Sequence, residues 1–254
     1  MKKLNILLIG GTKDASNITK HIKEKYDSYI LTTTTTEYGS KLAIESGSDD
    51  TIAKPLLKDE FITLIETNEF NLLIDATHPY ASHITQTTVS LSKLFNITYI
   101  RFERPPSNLD NVDTSRVHEV TSLDEAGKLI ASDFTSGNVL HLAGANTMET
   151  ILKYVQVNRF YARILKVPKS LEKCKLLNVP EEHIIEMKGT SSLEENLKII
   201  EETQASVIIT KESGDIGGVI NKINAANLKD IGVIMLKRPK IKDLNKKDIV
   251  SNLD

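Results

Sequence analysis

The sequence predicts an α/β protein built from two Rossmann-like, parallel-sheet domains that face each other across a cleft. Two observations carry this. Short apolar runs alternate along the whole chain with segments whose apolar residues recur at three and four, the pattern of βαβ units. The runs also fall into two series of nearly equal step, as an internal duplication would leave them. From Ile9 the later strands centre near Thr32, Ile52 and Ile74, steps of 23, 43 and 65 residues; from Leu142 they centre near Arg163, Ile185 and Ile209, steps of 21, 43 and 67.

In order, the first series is Leu4–Ile9, Tyr29–Thr34, Thr51–Ala53, Leu72–Asp75 and Thr98–Phe102, each a β-branched or apolar run of strand length. The second is Val139–Leu142, Phe160–Leu165, His183–Met187, Ser206–Thr210 and Gly232–Leu236. Helical spacing marks Asp59–Thr67, Ile84–Phe95, Leu193–Glu202 and Ile216–Leu228 between them. The last strands of the two series end alike, "YIRFERP" against "IMLKRP". The halves divide in the polar stretch Pro106–Arg116, giving an N-terminal domain over 1–105 and a C-terminal domain over 106–254 that completes the cleft.

Bulk composition excludes several functions. The 254 residues are 40% apolar and 26% charged, ordinary for a soluble globular chain, and a net charge of −2 leaves no electrostatic footprint for nucleic acid or anionic lipid. One cysteine, Cys174, permits neither an intramolecular disulfide nor a cysteine-based zinc cluster. His83, His118, His141 and His183 lack ligand spacing, so no protein-bound metal is expected. The opening Met1–Ile9 segment reads as a strand and not a signal peptide, because its apolar part stops at Gly10 without a small-residue cleavage site. No run approaches the ~18 apolar residues of a membrane span. The expected location is the cytoplasm.

In open α/β sheets, ligands sit beyond the carboxyl ends of the strands. Three such ends carry polar groups. After the first strand, Gly10-Gly11-Thr12 opens a helix; the glycines let a phosphate approach backbone N–H donors, although they would equally serve the turn alone. At the end of the second strand, the run Thr32–Thr36 leads to Glu37 and Lys41. There Thr34 and Lys41 could hold a coenzyme 2′-phosphate and Glu37 a ribose diol, or the threonines could be a β-branched edge, and NADH and NADPH are not distinguished. After the fourth strand, "DATHPYASHIT" presents Asp75, Thr77 and His78 before a proline and a helix, on the same edge as Gly10 and Gly11.

Taken together, "GGTKDA", "TTTTEYG", "DATHPYASHIT", "RFERPP" and "TKESGDIGG" resemble the precorrin-6A reductase family of corrinoid biosynthesis, in order and over nearly the whole chain. The resemblance implies an oxidoreductase that uses NADH or NADPH to reduce one double bond of a tetrapyrrole-derived small molecule, with the cobalt-bearing substrate favoured over the metal-free one. Hydride transfer needs a neighbouring proton source, which makes His78 the candidate acid with Asp75 beside it, and places Thr77 near the cofactor. A substrate rich in carboxylates would be held by Tyr80, Arg104 and the second half's glycine loop, through Lys211, Ser213, Gly214, Gly217 and Gly218; Arg101, Arg163 and Arg238 are further carboxylate candidates. Where the family carries a hydroxyl-bearing turn in the second half, this chain has Leu142-Ala143-Gly144-Ala145-Asn146. The reading from another class is a non-catalytic two-domain protein that binds a nucleotide or a tetrapyrrole.

Overall fold

A computed structural model describes residues 3–187 and 189–253. The chain divides into two compact units, Met1–Pro105 with Pro239–Asp254, and Pro106–Arg238.

In the first unit the elements run β1 (Leu4–Ile9), α1 (Lys13–Lys25), β2 (Ser28–Thr34), α2 (Glu37–Glu45), β3 (Asp50–Ala53), α3 (Lys58–Glu66), β4 (Leu72–Asp75), α4 (Ser82–Leu94) and β5 (Thr98–Phe102). The pleat of β1 explains the layering, because successive side chains point to opposite faces. Ile6 and Leu8 pack with Ala15, Ile18 and Ile22 of α1 on one face, and Leu7 and Ile9 pack with Phe61 and Ile65 of α3 and Leu91 of α4 on the other. A central strand covered on both sides must be apolar throughout, and Ile6–Ile9 are buried. Helix α1 starts where Thr12 accepts a hydrogen bond from the Ala15 N–H, with Asp14 in its first turn and Lys23 and Lys25 in its last, both favourable to the helix dipole.

The second unit repeats the scheme with β6 (Val117–Val120), α5 (Leu123–Asp133), β7 (Asn138–His141), α6 (Met148–Ile151), β8 (Phe160–Leu165), α7 (Pro168–Leu176), β9 (Ile184–Met187), α8 (Leu193–Thr203), β10 (Ala205–Lys211), α9 (Val219–Leu228) and β11 (Gly232–Leu236). Its core joins Leu140, Ile208, Val233 and Met235 of the sheet to Ile199 and Ile200 of α8 and Val219, Ile223 and Ala226 of α9. The helical pattern expected from Ile216 begins with a 3₁₀ turn over Asp215–Gly217 before α9 proper.

Both sheets are six-stranded and parallel at every pairing. The orders are β3-β2-β1-β4-β5-β12 and β9-β8-β7-β10-β11-β6, where β12 is Ile249–Val250. The first five positions repeat between units, and the reversal of direction beside β1 and β7 is the switch point of a doubly wound sheet. The sixth position is filled differently in the two units: β6 precedes its unit's core series, whereas β12 comes from the tail.

That tail corrects the expected boundary of the C-terminal domain. Residues 239–254 pack in the first unit, where Val250 O accepts the Glu103 N–H at 2.9 Å and Gln86 exchanges hydrogen bonds with the Lys242 backbone. The physical reason is an open sheet edge: β5 presents unpaired backbone groups that a returning segment can satisfy.

Candidate functional site

The carboxyl ends of β1, β2, β3 and β4 surround a pocket of about 460 Å³ in the first unit. Its polar side includes Thr12, Thr34, Thr77 and His78, and its apolar side includes Leu56 and Phe61. Each wall has a local cause.

The glycine turn is shaped by close packing below and open space above. A Cβ on Gly10 would lie 2.8 Å from Thr32 Cγ2 and 3.3 Å from Ala15 Cβ, so the residue lets β1, β2 and α1 approach. Gly11 has φ +88°, where a side chain is strained, and nothing lies within 4 Å of its Cβ position. Its backbone is therefore open to a ligand. Thr12 lines the pocket but its hydroxyl is engaged: it accepts from the Ala15 N–H at 3.1 Å and donates to Ala76 O at 2.7 Å, which ties the β1 turn to the end of β4. Gly10→Ala should destabilise the fold by ~1–3 kcal/mol through overpacking, measured by urea unfolding; a wild-type midpoint would show that Thr32 yields freely.

Asp75 has a different place from the one expected. It is fully buried, lines no part of this pocket, and pairs with Arg101 Nη1 at 2.6 Å across the β4–β5 register. Its Oδ1 also accepts from the Thr77 N–H at 2.9 Å and the Thr77 hydroxyl at 2.7 Å, and its Oδ2 from Tyr99 Oη at 3.2 Å. Burial, then the neighbouring Asp75 charge, raises the Tyr99 phenol well above its usual range. The helix after it begins at Ser82 with Ala81 at its N-cap, so Asp75 does not cap it. Asp75 thus holds Thr77 by an Asx-type turn, with Arg101 as its counter-ion.

Thr77, His78 and Tyr80 do line the pocket. A hydrogen bond from the Ala81 N–H to His78 O at 2.8 Å closes a turn around buried Pro79, and the His78 Nδ1 accepts from the Tyr80 N–H at 3.3 Å. The two rings lie 5.8 Å apart. His78 is exposed, and His83 and Ser82 of α4 share the pocket wall. Ser82 is not among the expected site residues and His83 is weighed only as a metal ligand, though their position within "DATHPYASHIT" was the available signal.

Two further expectations change. Lys41 lies on α2, three-quarters exposed and 4.0 Å from Glu45, and lines neither this pocket nor the neighbouring one between α1 and α2. The run 37–41 is helix, capped by Thr36, and not an extension of the strand edge. Residues 38, 39, 42, 43, 45 and 46 line the α1–α2 pocket, and position 41 is not among them. Lys41→Ala should therefore weaken NADH and NADPH binding equally and little, as a titration of both coenzymes would reveal. A selective loss of NADPH would restore the residue to the site. Arg104 is held internally, its Nη2 2.5 Å from Asp14 at the start of α1, and is not among the residues lining the pocket. Thr34 lines the pocket and donates to Thr36 O at 3.0 Å.

In the second unit, "TKESGDIGG" begins with the last two residues of β10, the counterpart of β4, and runs on into the loop after it. Lys211 is half-buried, and burial lowers its amine. Glu212 accepts from the backbone N–H groups of Ser107 at 3.0 Å and Gly214 at 2.9 Å and pairs with Arg238. Burial pushes that carboxyl up, but the Ser107 and Gly214 donors and the Arg238 charge outweigh it and the net shift is downward. Ser213 is buried, and Gly217 is required because its Cβ would fall on the Ser213 hydroxyl. Gly214 and Gly218 have φ +73° and +65°. Gly144 repeats the φ of Gly11, +88° with open space, in the turn after β7, so the second unit keeps the shape of the first turn without its hydroxyl. Ahead of it, His141 is fully buried; burial lowers it to about 3 against an opposing hydrogen bond to Gly144 O, so the ring is neutral.

Among the described residues, no group of three or more His, Cys, Asp or Glu could hold a metal ion, and no helix is long and apolar enough to cross a membrane.

Comparison with known proteins agrees with this architecture. The family model "Precorrin-6x reductase CbiJ/CobK" matches residues 5–254. A cobalt-precorrin-6A reductase of Methanothermobacter thermautotrophicus is 36% identical over 94% of this chain and 78% of its own length. One of Methanococcus maripaludis is 35% identical over 94% and 92%. The solved structure "CobK precorrin-6A reductase" superposes with a TM-score of 0.71 over 98% of this chain and 93% of its own, at 17% identity, a likeness of fold. With nearly its full length matched, and relatives above one-third identity, this chain belongs to the precorrin-6x reductase CbiJ/CobK family.

Proposed function

We propose that this chain reduces a precorrin-6A-type macrocycle, cobalt-precorrin-6A in preference to the metal-free form, with NADH or NADPH, in the cytoplasm. The observation that carries the reading is the pocket of about 460 Å³ where the Gly10–Gly11 turn, the Thr33–Thr35 edge and the Thr77–His78 rim meet, in a chain of a reductase family. The fit to a dinucleotide rests on the chain itself: Gly11 leaves its backbone open to a phosphate, and Leu56 and Phe61 offer an apolar wall for a base.

A reduced nicotinamide bound there supplies the hydride. The remaining work falls to the protein. Asp75 and Arg101 hold Thr77 in place from beneath, and Pro79 and the Ala81–His78 hydrogen bond fix the rim. His78, exposed on that rim, delivers a proton to the carbon beside the one reduced. In the second unit, Lys211 offers a cation to substrate carboxylates from the end of β10, with Ser213, Gly214, Gly217 and Gly218 shaping the loop around it.

The test is anaerobic incubation with cobalt-precorrin-6A or precorrin-6A and each coenzyme, following loss of the reduced-nicotinamide absorbance and the product mass. Turnover of either macrocycle supports the reading. If the protein perturbs NAD(P)H fluorescence but oxidises none with either substrate, it is a binding protein and the proposal fails.

A further inference from the structure

Two cations in the second unit have no ion-pair partner among the described residues. Lys222, in α9, is only 4% exposed. Its Nζ donates to Gly217 O at 2.8 Å, and among the described residues no other acceptor receives its remaining two donors. Arg163, near the end of β8, donates to the hydroxyl of Ser191, itself 2% exposed. Neither cation forms an ion pair among the described residues. They are close enough to act on each other: burial first, and then the Arg163 charge, lower the Lys222 amine to about 8.

The surroundings bind the two together. Ser191 O accepts from Asn221 and Asn196 side-chain amides, each at 3.4 Å, which joins α8 and α9 to the loop after β9. Gly218, at φ +65°, brings its backbone against Thr190 and Ser191. A buried lysine beside an arginine, with no acid paired to either among the described residues and only the charge of Glu195 acting on the arginine, is costly unless an anion joins them. Such perturbed groups concentrate at ligand sites. Arg163 is only partly buried and leaves a route to solvent, and its planar fork suits an oxyanion.

We propose that Arg163 and Lys222, with the Gly217–Gly218 turn, form an anion site that takes a carboxylate or phosphate group. The site stands whether or not the chain reduces a macrocycle, so its test does not use turnover. In the full-length protein, the Lys222 amine is followed by heteronuclear NMR, its signal assigned by loss in Lys222→Met. Inorganic pyrophosphate stands for a phosphate source and tricarballylate for a carboxylate source, with chloride at matched ionic strength as the control.

At least one of the two probes raises the pH at which Lys222 titrates, and chloride does not. That probe binds about tenfold or more weakly to Arg163→Gln, and Arg163→Lys recovers part of the loss. A response to pyrophosphate alone assigns the site to a nucleotide phosphate; a response to tricarballylate alone assigns it to a carboxylated ligand. An unmoved Lys222 titration with both probes overturns the proposal, as does equal affinity in a folded Arg163→Gln protein. If Arg163→Gln does not fold, the wild-type titration decides by itself.

Discussion

Asp75→Ala should destabilise the first unit by ~3–5 kcal/mol, because removing one partner of a fully buried ion pair strands the other. Here the stranded group is Arg101, with 3% of its side chain exposed and Nη1 bound to Asp75 Oδ1, Asp75 O and the Thr77 hydroxyl. The loss propagates, since Thr77 and Tyr99 give up an acceptor at the same time. Urea unfolding of wild type, Asp75→Ala, Arg101→Met and the double variant would measure it. The double variant should be less destabilised than the sum of the singles, since the pair's desolvation cost disappears with both charges. Additive losses would mean that the two residues act independently, contrary to the geometry.

His78→Ala should lower kcat by ~10²-fold or more while coenzyme affinity stays nearly intact. The imidazole is exposed on the pocket rim, so its removal should cost far less stability than that of the fully buried Asp75. That contrast with Asp75 is diagnostic: one residue should act on turnover and the other on folding. A His78→Ala enzyme turning over at the wild-type rate would make the histidine a turn residue, with water or the ligand supplying the proton. His83 shares the wall, and His83→Ala is the natural companion variant.

These two outcomes also mark the reach of the sequence. "DATHPYASHIT" identified a polar strand end, because the jump from apolar run to Asp, Thr and His is local. Which of those groups faces a ligand was not local. Asp75 meets Arg101 across 26 residues of chain, and only the register of β4 against β5 puts them together. The same limit governs Lys41. A threonine run followed by Glu and Lys reads as a strand edge until Thr36 is seen to accept the Gly39 N–H and start a helix.

By itself, the sequence determined the α/β class, the two series of strands and the glycine turn after β1. Short apolar runs, helical apolar spacing and a Gly-Gly turn after a strand are properties of neighbouring residues. Tertiary structure decided the rest. It filled the sixth sheet position from the tail in one unit and from the strand that opens the unit in the other, since an open edge accepts any segment that can satisfy its backbone. It also buried Asp75 against Arg101 and left Lys222 beside Arg163 with no ion pair to either among the described residues. Charge compensation is settled between residues distant in the chain, so composition and spacing carry no trace of it.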